Sequence, residues 1–99
     1  MNPFPKPEEV DKEINEEIKA YIQNQLSTNG KIMFYDVMEH LEKAVEARNI
    51  KKSKVIAWYV TESLLKSRMP DNEQDFLIIG MKDQIDALEE NREAEKYSE

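Results

Sequence analysis

Cysteine is absent from this 99-residue chain, and histidine occurs once, as His40. A disulfide framework, a thiolate nucleophile and the Cys/His zinc sites are thereby excluded. Glycine is almost as scarce, with Gly30 and Gly80 the only two. A phosphate-cradling loop needs several glycines close together, so none can form here. Long apolar runs are missing too. The longest, Val55 to Val60, falls far short of the roughly 20 residues that a membrane span requires. The opening "MNPFPKPEEV" turns acidic without an apolar stretch, unlike a signal peptide. The expected setting is soluble and cytoplasmic.

What is abundant is charge. Charged residues make up 35% of the chain and hydrophobic ones 39%, which allows one domain with a modest core. The formal net charge is -7, which opposes attraction of the whole surface to nucleic acid or anionic lipid. Its distribution is uneven. Residues 1–27 carry three lysines against six acids, and residues 69–99 carry three cations against ten acids. Between them, residues 43–68 hold seven cations against Glu46 and Glu62. One basic island lies between two acidic arms.

Enzyme signatures are few. The serines lack the sequence context of a nucleophile elbow. Glu13, Glu16 and Glu17 could gather on one helix face, as could Glu89, Glu90 and Glu93, and both groups read as solvated surface. His40 has no second histidine or cysteine to support catalysis and reads as a surface residue. No catalytic residue, metal site or cofactor is expected.

The apolar spacing predicts an all-α, mostly helical fold: a small four-helix domain with a helix–turn–helix inside it. Pro3, Pro5 and Pro7 make residues 1–7 an extended leader. Val10, Ile14, Ile18, Tyr21, Ile22 and Leu26 then recur at steps of three and four, predicting a first helix over about 8–27. "KIMFY", residues 31–35, suits a short strand or the first turns of the next helix. Asp36 is a candidate N-cap with Glu39 three residues on, and Met38, Leu41, Ala44 and Val45 form the second helical stripe. Ser53 is a candidate N-cap for a third helix whose core face is Val55, Ile56, Tyr59, Val60 and Leu64. Asp71 or Asn72 can cap a last helix over about 72–92. Its seam of Ile78, Met81, Ile85 and Leu88 is suited to intramolecular core or to a dimer contact. The single domain spans 8–92, and residues 93–99 have little to bury and should fray. Gly80 within the seam weakens helix by up to about 1 kcal/mol against alanine.

The sharpest local feature is "RNIKKSKVIAWYV", residues 48–60. It places a turn with Asn49 and Ile50 ahead of a helix opening on Lys52, Ser53 and Lys54, an arrangement compatible with a DNA-binding helix–turn–helix. The spacing of Leu41, Val45, Ile50, Ser53, Val55, Ile56, Val60 and Leu64 also resembles the ribbon–helix–helix family of small dimeric repressors, over about residues 31–66. That resemblance implies a strand at 31–35 that faces DNA with Lys31, Met33 and Tyr35. It also implies a phosphate contact at Ser53 and Lys54, and a homodimer. The resulting expectation is a small regulatory protein of bacterial or phage type that approaches DNA through Arg48, Lys51, Lys52, Ser53, Lys54 and Lys31. Its DNA binding would be salt-sensitive. The alternative is an acidic adaptor or inhibitor whose arms bind a basic surface on a nucleic-acid enzyme, such as a polymerase or nuclease, or another protein without touching DNA. Trp58 and Tyr59 fit core or interface, since helical spacing explains them.

Overall fold

The computed structural model describes residues 2–31 and 34–97, the last six of these as backbone alone. The elements run α1 (Pro7–Val10), α2 (Lys12–Asn29), α3 (Phe34–Glu46), α4 (Ile50–Leu65) and α5 (Asp71–Tyr97). The fold is all-α, and no strand occurs among the described residues.

The expected first helix is divided in two. Pro7 opens α1 at its first helical position, where the missing N–H costs nothing. At Asp11 the backbone turns extended, and its carboxylate accepts the N–H of Ile14 at 3.0 Å, capping α2. Aspartate is worth more as a cap than inside a helix, which favours the break. Gly30, in left-handed conformation at φ 72°, closes α2 by donating its N–H to the Leu26 carbonyl.

Phe34 and Tyr35 are not strand: they form the first turn of α3, and Asp36 lies inside that turn instead of capping it. Ile32 and Met33, the rest of the proposed strand's apolar run, lie outside the described residues. The helical stripe explains the correction. Val37, Leu41 and Ala44 are buried at helical spacing, and stepping back three residues from Val37 reaches Phe34.

α3 ends with the two hydrogen bonds of a Schellman motif. Asn49 N–H donates to the Ala44 carbonyl and Arg48 N–H to the Val45 carbonyl, both at 3.0 Å. Arg48 takes the left-handed position (φ 57°) that glycine usually fills. Asn49 then caps α4, its side-chain oxygen accepting the Lys52 N–H at 3.1 Å. Ser53 is therefore not the cap. It sits one turn inside α4, fully buried, with its hydroxyl on the Asn49 carbonyl at 2.8 Å.

α4 is the centre of the fold and touches each of the other helices. Its buried residues include Val55, Ile56, Ala57, Val60, Thr61 and Leu64. So broad a buried surface marks a helix enclosed by its neighbours, unlike one with a single apolar stripe. Ile18 of α2, Leu41 of α3 and the α5 residues Ile78, Met81 and Ile85 close over it. Before α5, the Pro70 carbonyl accepts the N–H groups of Glu73 and Gln74, so the helix begins at Asp71 without needing Asp71 or Asn72 as cap.

The leader packs into this core. Phe4 and Pro7 are buried, and the Asn2 amide donates to the Trp58 carbonyl and to Glu62, each at 3.1 Å. Leu26, placed on the core stripe by its spacing, is instead 45% exposed.

Candidate functional site

The basic stretch begins on the Schellman turn, which swings Arg48 outward, and continues along the first turn of α4. Arg48 and Lys51 are exposed. Lys52 and Lys54 are not an open pair of cations. Lys52 reaches Glu17 of α2 at 3.2 Å, and Lys54 is ion-paired with Glu89 of α5. The acidic arms on either side of the basic island thus each supply one carboxylate to it. The Ser53 N–H donates to the Asn49 carbonyl, so it is not a free donor for phosphate. Lys31 lies just past Gly30, exposed, at the far end of α2.

The seam of α5 faces inward. Ile78, Met81 and Ile85 are buried in the chain's own core, and Leu88 is half-buried. Ile78, Met81 and Ile85 carry the intramolecular packing of α5 on α4 and α3.

His40 is half-buried, not a free surface group. Its ring stacks on Tyr21 of α2, with centroids 4.7 Å apart and planes 10° from parallel. Burial lowers its pKa first, then the Lys52 ammonium, with Glu17 opposing. Tyr21 and Tyr59 shift the other way, raised by burial and then by nearby carboxylates: Asp36 and Glu39 for Tyr21, Glu8 and Glu16 for Tyr59. Tyr59 also donates its hydroxyl to the buried Asn15 side chain at 2.5 Å, tying α4 to α2. No described group of His, Asp and Glu side chains could hold a metal ion. No described helix is long and apolar enough to cross a membrane.

Two apolar surfaces escaped the sequence-based expectations. One is a cavity of about 370 Å³ where α2 ends, α3 begins and α4 runs out, lined by Ile22, Leu26, Phe34, Val60, Leu64 and Met69. Its polar groups are chiefly Ser63 and Ser67, and the Ser67 hydroxyl is already committed to the Leu64 carbonyl. The second is the outer face of α5. Phe76 is 77% exposed and Ile79 57% exposed, beside a hollow of about 280 Å³ that also involves Met38 and Gly80. The signal available beforehand was "DFLIIG": four consecutive large apolar residues, 76–79, cannot all face inward from one helix.

No protein-family model, curated protein or solved structure matches this chain.

Proposed function

We propose that this protein is an acidic protein-binding module, an adaptor or inhibitor that engages a basic surface on a partner such as a nucleic-acid enzyme. The observation that carries this reading is the pairing of Lys52 with Glu17 and of Lys54 with Glu89. With those lysines neutralised internally, the negative balance of the two arms is what a partner meets over most of the surface. Complementary charge of this kind accelerates encounter and selects partners by sign. The exposed Phe76 and Ile79 add the apolar contact that gives an interface affinity beyond steering.

The second reading is a small DNA-binding regulator of bacterial or phage type. It draws support from exposed Arg48 and Lys51 at the head of α4. A salt-titrated duplex-binding assay on the wild type and on a Lys51→Ala/Lys52→Ala/Lys54→Ala variant separates the two. The acidic-module reading expects no duplex binding that depends on these lysines. It also expects the wild-type chain to release basic DNA-binding proteins from immobilised duplex at low salt. Duplex binding that disappears in the triple variant, with no such release, would overturn it.

A further inference from the structure

Gly80 sits within α5 at an ordinary helical backbone, where nothing demands glycine: its φ is not positive. Nor does packing demand it. A Cβ built on Gly80 would meet no atom within 4 Å. Glycine inside a helix forfeits stability relative to alanine, so this one weakens α5 without any return inside the chain. What the glycine leaves open faces outward from the chain. Around the missing side chain is the hollow bordered by Met38 of α3 and by Phe76, Leu77, Ile79 and Met81 of α5. Its volume of about 280 Å³ is below the usual range for small-molecule pockets, and is suited to one bulky side chain.

Charge identifies the occupant. Residues 71–90 carry seven acids against Lys82 alone, and Lys82 is paired with Asp86 at 3.0 Å. A second copy of α5 fits poorly. Laid antiparallel about Ile78, it would bring Phe76 opposite Gly80 but Glu73 opposite Asp83, setting like charges against each other. A basic segment meets no such opposition. On α3, Tyr35 (85% exposed) and Glu42 stand three residues before and four after Met38, extending the same aromatic and acidic character across the hollow.

We infer that the hollow over Gly80 is a docking notch for a basic amphipathic helix of a partner protein, which seats one large apolar side chain against the glycine between Phe76 and Met38. This rests on the acidic-module reading and locates its specific contact. Lysines or arginines flanking the inserted side chain pair with Glu73, Asp75 and Asp83, and the backbone of α5 is approached closely because no Cβ stands in the way.

The test uses the full chain and two synthetic helical peptides with identical lysines. One bears a leucine and phenylalanine face, and in the other that face is alanine. Fluorescence anisotropy at low salt should show the wild type binding the apolar-faced peptide at least about tenfold more tightly. Gly80→Leu should remove that preference while its thermal unfolding midpoint stays at or above the wild-type value, and Phe76→Ser should also reduce the preference. Equal preference in wild type and Gly80→Leu would overturn the notch. If both peptides still bound equally through their lysines, the acidic-module reading would stand. Binding of neither peptide would overturn both. Sedimentation showing a dimer that Gly80→Leu dissolves would overturn the inference in favour of a second copy.

Discussion

α4 and α5 are both helices with conspicuous apolar content, yet they use it in opposite ways. α4 is covered by every other helix, and even the polar Ser53 and Thr61 are sealed inside. α5 commits Ile78, Met81 and Ile85 to the core and leaves Phe76 and Ile79 in solvent. The same contrast holds for charge. The lysines at the head of α4 looked like the functional feature and are largely engaged by the chain's own carboxylates. The acids of α5 form an ordinary-looking solvated face, interrupted by a glycine that the fold does not need. An anomaly that the interior explains points to stability. One that the interior leaves unexplained points outward.

The contrast breaks most sharply with two isoleucines. Ile56→Ala in α4, at 1% exposure, should cost about 3 kcal/mol in a urea titration, whereas Ile79→Ser in α5 should stay within about 0.5 kcal/mol of wild type. Comparable losses would mean that the outer face of α5 is packed after all. Next in size is Thr61, whose buried hydroxyl has no hydrogen-bond partner among the described residues. Thr61→Val should therefore stabilise α4 by about 1 kcal/mol, and a loss would reveal a partner for the hydroxyl.

A double-mutant cycle on Lys54 and Glu89, both partly exposed, should give a coupling below about 1 kcal/mol that shrinks with salt. Zero coupling at low salt would leave the basic island free and revive the DNA-binding alternative. The smallest effect concerns His40. Its folded-state pKa is lowered from the ordinary 6.5, by burial first and by Lys52 next. The unfolded chain therefore binds the proton first as pH falls. The resulting stabilisation is complete above about pH 6.5 and declines on acidification below it. His40→Phe, which keeps a ring against Tyr21, should flatten that part of the pH profile, and an unchanged slope would assign it to other groups.

Much of the fold was legible because helical periodicity is a repeated signal. Val55, Ile56, Val60 and Leu64 were read as core and are buried, as are Leu41 and Ala44. Single-residue features were harder. Asn49 and Ser53 are both good caps four residues apart, and the choice fell to Asn49 because Arg48 adopts a left-handed turn that periodicity does not encode. Phe34 and Tyr35 have strand-like composition, but they lie one turn ahead of Val37 and Met38 on a helix that packs against α4. The candidate site was only half legible. The basic island is visible in the sequence, but the carboxylates that meet it come from Glu17 and Glu89, each about 35 residues away along the chain. Its neutralisation is a property of the fold alone.

The docking of the leader on α4 also has a consequence for biosynthesis. The Asn2 amide, two residues before Phe4, donates to Trp58 and Glu62, which lie 56 and 60 residues further along the chain. At ribosomal speeds of about 5–20 residues per second, roughly three to twelve seconds separate the synthesis of the two ends of that contact. Through that interval Phe4 has no α4 to pack against, so the nascent chain carries an unsheltered aromatic. Final closure of the core waits longer still, for α5 to bring Ile78, Met81 and Ile85 over α4.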